Sequence, residues 1–118
     1  MHGLPADFDP GMFVGRELVQ VSFTVNTVHL CFDGDIAITM ESSFTLRPGP
    51  AAETMTQSLP VEWSPIMVLL GRRVHSARAT AEGMLVLEFE GGGMLSCLDD
   101  SKEYESYHIR IGDREIAV

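Results

Sequence analysis

The chain has 118 residues, 45% of them hydrophobic and 21% charged, which predicts a single folded domain with its own core. Its net charge of −9 disfavours nucleic acid and anionic membranes as partners. The same charge would speed the encounter with a basic protein, but it is equally compatible with an acidic surface that serves only solubility. No apolar run reaches the ~18 residues that span a bilayer, and the two cysteines fit neither a disulfide framework nor paired zinc ligands. We therefore expect a cytoplasmic domain with free thiols.

Asp9 and Pro10 predict the start of a short helix. Asp9 can accept a hydrogen bond from a free backbone N–H, and Pro10 suits the first helical position, where no N–H partner is needed. Gly15 is a left-handed stop, so the helix has room for only one or two turns. A helix this short depends on packing. We expect its apolar residues, Met12, Phe13 and Val14, to be buried.

Alternating apolar and polar residues after Gly15 predict a run of strands. A two-residue turn at Asn26-Thr27 would pair Val25 with Val28, and a three-residue loop at Asp33-Gly34-Asp35 would continue the meander. Phe44-Thr45-Leu46 is expected to form a further strand. The residues that share the apolar face of the first strand, and are expected to be buried, are Val19, Val21, Phe23 and Val25.

Residues 47–60 are rich in proline and glycine and predict an exposed loop, with a short edge strand from Met55 to Leu59. Trp63 is expected to pack against the start of a second helix as a hydrophobic staple. Ser64 and Pro65 repeat the start signal of the first helix, and Gly71 repeats the stop. The apolar residues of this helix, expected to be buried, are Ile66, Met67, Leu69 and Leu70.

Glycine turns predict a second meander after the second helix. A loop at Glu82-Gly83-Met84 would pair Ala79 with Leu87, and Glu90-Gly91-Gly92-Gly93 would form the next hairpin loop. The glycine run is not expected to bind phosphate, because it precedes a strand and not a helix. Ile111-Gly112-Asp113-Arg114 predicts a last hairpin, which would place the final residues inside the sheet.

The second half of the chain repeats the pattern of the first. Gly15 and Gly71 lie 56 positions apart (71 − 15), whereas Glu41 and Asp99 lie 58 apart (99 − 41), and the two added residues fall in turns. The pattern predicts an internal duplication within an α+β domain of mostly antiparallel β-structure, in which each repeat is a short helix plus a β-meander and both share one core. The expected bounds are repeat one at about 9–46, the loop at 47–60 and repeat two at about 64–118, within a single domain of residues 1–118.

Two acidic corners are the main candidates for binding. Glu41-Ser42-Ser43 and Asp99-Asp100-Ser101 end equivalent strands, so their carboxylates and hydroxyls would meet at one rim. Such oxygens suit a hard cation or the basic side chains of a partner, although strand-end chemistry explains the same residues without a function. Tyr104 and His108 share one face of the next strand, where an exposed aromatic can anchor an interface. The candidate binding residues are therefore Glu41, Ser43, Asp99, Asp100, Tyr104 and His108.

His29 and Cys31 lie two apart on one predicted strand and so share a face. This spacing is compatible with a pair of metal ligands or an activated thiol, and equally with two ordinary residues on a partly exposed face. A zinc site would need Cys97 or His108 as well. The chain contains no standard catalytic or nucleotide-binding signature, so no catalytic residue, metal or cofactor is predicted.

The passage from Gly15 to Phe44, with Phe32-Asp33-Gly34-Asp35 followed by Met40-Glu41-Ser42-Ser43-Phe44, resembles a family of small bacterial α+β domains of unknown function. The resemblance covers about the first third of the chain. It implies a bacterial source but no activity, cofactor or catalytic residue. Small acidic immunity and inhibitor proteins share the size and charge of this chain, but this is an analogy between classes of protein and not a sequence resemblance.

These observations favour a non-enzymatic binding module of the bacterial cytoplasm, immunity-like or regulatory, that meets a basic protein through an acidic surface. One alternative is a small-molecule-binding protein or small enzyme with a site between the two repeats, built from residues such as His29, Cys31 or His108. Another is a homodimer that pairs its sheet edges.

Overall fold

A computed structural model describes residues 4–100 and 106–118 of the chain. In this part the protein is nearly all β, with antiparallel strands in two five-stranded sheets. The strands are β1 (Leu18–Phe23), β2 (Val28–Phe32), β3 (Ile36–Met40), β4 (Phe44–Arg47), β5 (Met55–Gln57), β6 (Val74–Ala79), β7 (Leu85–Phe89), β8 (Met94–Cys97), β9 (Tyr107–Ile111) and β10 (Arg114–Ala117).

The two predicted helices are single 3-10 turns, at Pro10–Phe13 and Pro65–Leu69. Their start signals were predicted correctly, because Asp9 Oδ1 accepts a hydrogen bond from the Gly11 amide and Ser64 Oγ accepts one from the Ile66 amide. The α+β assignment was wrong. Each segment between the cap and the glycine is too short to propagate an α-helix. Its backbone therefore forms the tighter i→i+3 hydrogen bonds of a 3-10 helix.

Each sheet combines strands from both halves of the chain. The first has the order β1-β2-β3-β9-β10, and the second has the order β5-β4-β8-β7-β6. The third strand of each half therefore pairs with the fourth strand of the other half, and not with its own. The prediction of self-contained helix-plus-meander repeats was wrong in this respect, although one core cluster does include residues of both sheets. Internal duplication itself stays a prediction.

Register was predicted correctly at one turn of the first meander and wrongly at the other. Phe32 pairs with Ile36 across the Asp33-Gly34-Asp35 loop, as expected. Phe23, however, pairs with Val28, because β1 ends at Phe23, two residues before the predicted end at Val25. The Thr24 hydroxyl accepts hydrogen bonds from two backbone amides of the turn, those of Asn26 and Thr27. This local capping competes with continuation of the strand.

The same shift occurs in the second meander, where Ala79 pairs with Leu85 and not with Leu87. Here the Thr80 hydroxyl accepts a hydrogen bond from the Met84 amide at 3.1 Å. The final hairpin was predicted correctly, since Arg114 pairs with Ile111. The edge strand β5 also lies within the predicted segment.

The first strand does not bury the face that alternation predicts. A register shift between Leu18 and Gln20 breaks the alternation at Val19, which is exposed. Phe23 lies at the rim of the sheet and Val25 lies in the turn, and both are exposed as well. Only Leu18 of this strand is fully buried, so the prediction of a buried Val19-to-Val25 face was wrong.

The edges of the two sheets meet where β1 and β6 begin. Glu17 and Arg73 form an isolated antiparallel bridge between the strands. Beside it, the Leu18 amide donates to the Arg72 carbonyl at 3.0 Å, and the Gly71 amide donates to the Leu18 carbonyl at 2.8 Å. These bonds hold the end of the second 3-10 turn against β1.

Within residues 4–100 and 106–118, no helix is long and apolar enough to cross a membrane.

Candidate functional site

The structure brings the two predicted acidic corners together. Residues 41–43 connect the first sheet to the second, and they run beside residues 98–100, which leave the second sheet. The Leu98 amide donates to the Ser43 carbonyl at 3.3 Å, and the Glu41 amide donates to the Ser106 carbonyl at 2.9 Å. We call residues 41–43, 98–100 and 106 the seam. Tyr104 and Ser101 lie outside the described residues.

Side chains of the seam bond to one another and to neighbouring residues of the protein. Glu41 Oε1 lies 2.7 Å from His108 Nε2. The Ser106 hydroxyl donates to Asp99 Oδ1 at 3.2 Å, and the Ser42 hydroxyl donates to Asp100 Oδ1. Each of the three carboxylates therefore already has an internal partner, which leaves fewer acceptor positions for an external ligand.

No group of three or more histidine, cysteine or acidic side chains in the described part of the chain is arranged to hold a metal ion. Ser43, the remaining predicted binding residue in the seam, has its hydroxyl 3.1 Å from that of Ser58. These contacts tie the crossing segments of the seam together.

The outer face of the first sheet carries both His29 and His108. The two lie on one row of paired residues, on either side of Thr39, and His29 Nδ1 lies 2.6 Å from Thr39 Oγ1. Cys31 lies on the same face and is half-buried. Cys97 is instead in the core, 3.7 Å from Met40 Sδ, and burial raises the pKa of its thiol to about 12. The structure therefore separates Cys97 from the predicted His29 and Cys31 pair.

An exposed apolar surface follows from the second 3-10 turn. Ile66 and Leu69, three residues apart, are fully buried, whereas Met67 and Leu70 are at least 40% exposed. Side chains three residues apart superimpose along a 3-10 turn, so the turn has one buried face and one exposed face. The predictions of buried Met67 and Leu70 were wrong for this reason.

Trp63 extends this exposed surface. It precedes the cap at Ser64 and is 69% exposed, so the prediction that it packs as a staple was wrong. The exposed Val19 lies near the end of this turn in the backbone, because it follows Leu18, whose carbonyl accepts a hydrogen bond from the Gly71 amide. We define the apolar patch as Trp63, Met67, Val68, Leu70 and Val19.

The first 3-10 turn offers no comparable surface. Val14 occupies its C-cap, as Leu70 does in the second turn, and it too is exposed. The Gly15 amide that follows donates to the Val74 carbonyl of β6 at 2.8 Å, so Val14 adjoins a strand that continues with His75 and Ser76. In the described part of the chain, the patch is thus built around the second 3-10 turn and has no counterpart around the first. Sequence reasoning missed it, although the i, i+3 spacing of Met67 and Leu70 was visible.

A family model described as a family of unknown function, DUF6188, matches residues 10–118. No curated protein and no solved structure matches the chain. The match extends well beyond the first third of the chain, on which the resemblance to an uncharacterised family was based. The chain belongs to the DUF6188 family of unknown function.

Proposed function

We propose that this protein is a non-enzymatic protein-binding module and that its partner docks on the apolar patch. The observation that carries the proposal is the exposure of a tryptophan, a methionine and two further aliphatic side chains within the eight residues from Trp63 to Leu70. Tryptophan and methionine are enriched in the cores of protein interfaces, and a cluster of exposed large apolar residues is typical of a docking surface.

The patch is a better candidate for the docking surface than the seam, because the side chains of the seam already bond to other groups of the protein. The carboxylates of Glu41, Asp99 and Asp100 are bonded inside the protein. Met67 and Leu70 instead point away from the core that Ile66 and Leu69 fill. Covering them with a partner would remove apolar area from water at about 25 cal/mol per Å².

The charge of the chain favours a basic partner. A net charge of −9 attracts a positively charged protein and speeds its approach, while the apolar patch would supply contacts that do not depend on salt. Association should therefore slow as salt is added, with a smaller change in the rate of dissociation. If the protein covers the active site or binding site of its partner, its role would be immunity-like or regulatory.

The test uses the protein as bait for a lysate of its source organism. Trp63→Ser and Leu70→Ser each remove one exposed apolar side chain of the patch, and Val14→Ser removes the residue that matches Leu70 at the end of the other turn. We expect a protein that the wild type and Val14→Ser retain and that both patch variants lose. A basic isoelectric point of the retained protein would agree with the charge argument.

Retention of the same proteins by the patch variants would contradict the proposal. Native mass spectrometry tests whether a second copy of this chain, and not a different protein, covers the patch. If the wild type is a dimer that Met67→Ser dissociates, the patch is a homodimer interface and the proposed external partner is wrong.

A further inference from the structure

Two arginines occupy matching positions in the two sheets. Arg110 of β9 pairs with Ala37 of β3, and Arg47 of β4 pairs with Met94 of β8. In both sheets this is the contact between the third strand of one half and the fourth strand of the other. Both side chains project from the outer face, since the inward residues of β4 and β9 are the buried ones.

Arg110 has a carboxylate partner. Its Nη1 lies 2.8 Å from Oδ1 of Asp35, two residues before Ala37, and the same nitrogen donates to the Gly112 carbonyl at 3.3 Å. The hydrogen bond to Asp35 raises the pKa of Arg110. Asp35 reaches this position from a left-handed backbone conformation, with φ at +59°.

Arg47 lacks the corresponding carboxylate. The residue two before Met94 is Gly92, which has the same left-handed bend, with φ at +93°, but no side chain. Arg47 Nη2 donates to the Gly92 carbonyl at 3.2 Å, while its Nε is buried without a hydrogen-bond partner. Among the described residues no ion pair involves Arg47. A buried donor left without an acceptor is costly, and a guanidinium is suited to a carboxylate.

A surface pocket of about 390 Å³ opens beside this arginine. Arg47 comes from the first half of the chain, and the rest of the wall comes from the second half, namely His75 and residues 88–93. We call this the arginine pocket. Its volume is sufficient for a small organic molecule, and its glycines let a ligand approach the backbone closely.

We propose that the arginine pocket binds a free amino acid, whose carboxylate pairs with the guanidinium of Arg47, which lines the pocket and has no ion-pair partner among the described residues. The ammonium group would face Glu90, which is exposed and forms no ion pair in the described part of the chain. Glu88 is already engaged, because it accepts a hydrogen bond from Ser76 and lies 3.6 Å from Arg78.

The acidic residues at the rim select against other anions. A phosphate or a dicarboxylate would bring excess negative charge next to Glu88 and Glu90 in a chain of net charge −9. A zwitterion brings no net charge and can pair with both the guanidinium of Arg47 and the carboxylate of Glu90. The proposal does not depend on the apolar patch, which involves other residues.

The test follows the Arg47 Nε–H signal by ¹H–¹⁵N NMR while the common amino acids are added one at a time. Acetate and inorganic phosphate are the comparison ligands. We expect at least one amino acid to shift this signal and the amides of Gly91 and Gly92, and to bind more tightly than acetate or phosphate. If no amino acid shifts the Arg47 signal, or if phosphate binds best, the proposal is wrong.

Two pairs of variants locate the binding. Arg47→Gln should weaken the affinity for that amino acid by about tenfold or more, because a charge-assisted pair is lost, whereas Arg110→Gln at the matching position should leave it unchanged. Equal affinity in Arg47→Gln and the wild type would overturn the assignment.

A carboxylate added within the chain should block the site. A Cβ at Gly92 would lie 2.7 Å from Pro50 Cδ, so Gly92→Asp is combined with Pro50→Gly to make room. We expect the double variant to lose the amino acid, since its own aspartate would occupy Arg47, and Pro50→Gly alone to bind it. A folded double variant that still binds as tightly as Pro50→Gly would contradict the proposal.

Discussion

The guanidinium of Arg16 lies over the α-carbon of Gly34, so close that a Cβ on this glycine would be 2.1 Å from Arg16 Nη1. Arg72 approaches Gly91 in the same way in the second half, at 3.1 Å. Each arginine follows a glycine, Gly15 or Gly71, at the end of a 3-10 turn. The recurring Gly-Arg pair thus has a structural task, which is to cover the hairpin that joins the second and third strands of its half.

This contact predicts that Gly34→Ala is more destabilising than Gly15→Ala. Both glycines have positive φ, at +79° and +83°, so both substitutions strain the backbone by about 1–2 kcal/mol. A Cβ at Gly15 meets nothing within 4 Å, whereas one at Gly34 collides with Arg16. Urea unfolding should show the larger loss of stability for Gly34→Ala.

The control for this prediction is a double-mutant cycle with Arg16→Ala. Removing the arginine should recover the part of the Gly34→Ala loss that comes from the collision, while the Gly15→Ala loss should not change with it. Equal costs at the two glycines, with no coupling to Arg16, would show that the guanidinium has room to move away.

Alkaline pH should destabilise the protein from about pH 9 upward. Burial raises the pKa of the Cys97 thiol from 9.0 to about 12, so between these values the unfolded chain has lost a proton that the folded chain keeps. The contribution of the protonated Cys97 thiol to the free energy of unfolding is therefore complete below pH 9. Above pH 9 the free energy of unfolding falls by up to about 1.4 kcal/mol per pH unit. Burial also raises the pKa of Tyr107 above its ordinary 10.0, with the same sign. Unfolding free energies measured from pH 8 to 11 should fall, and the fall should be shallower in Cys97→Val.

Tyr107→Phe should cost about 1–3 kcal/mol of unfolding free energy. The phenol donates a hydrogen bond of 2.7 Å to the Gly83 carbonyl, both residues are buried, and the substitution leaves that carbonyl unpaired. Thermal unfolding of the variant checks this. A midpoint equal to that of the wild type would mean that water replaces the phenol at Gly83.

Amide substitutions in the seam should leave partner binding intact. Glu41→Gln, Asp99→Asn and Asp100→Asn each keep the shape of a side chain that is already bonded internally. Because the proposed docking surface is elsewhere, the triple variant should retain the same protein as the wild type, with a slower association rate from the three lost charges. Loss of that protein in the triple variant alone would identify the seam as the docking site instead.

Local signals in the sequence predicted local structure well. Asp9 and Ser64 cap the turns as expected, and the Asp33-Gly34-Asp35 loop sets the predicted register. The exchange of β4 and β9 between the sheets could not be predicted this way, because those strands pair with partners far away in the chain. Thr24 and Thr80 are visible in the sequence as residues that can cap a turn through the hydroxyl group. The neighbouring turn signals are of similar strength, so the sequence does not show where each strand ends.

The candidate sites were partly visible in the sequence. Equivalent positions in the two halves predicted that Glu41 and Asp99 would lie together, whereas the exposure of Met67 depends on the 3-10 geometry, which was not predicted. The replacement of Asp35 by Gly92 could have been found from the same alignment of the halves. The significance of this replacement depends on Arg47, which the prolines and glycine of residues 47–53 predict to lie in an exposed loop, whereas the structure places it at the end of β4.

The most direct test of the proposed docking surface is ¹⁹F NMR of protein labelled with 5-fluorotryptophan. Trp63 is the only tryptophan of the chain, so it gives a single resonance from the apolar patch. Adding the captured partner should shift and broaden this resonance and protect it from a soluble paramagnetic agent, with no such change in Met67→Ser. A complex that forms while the Trp63 resonance stays unshifted and solvent-accessible would contradict docking on the patch.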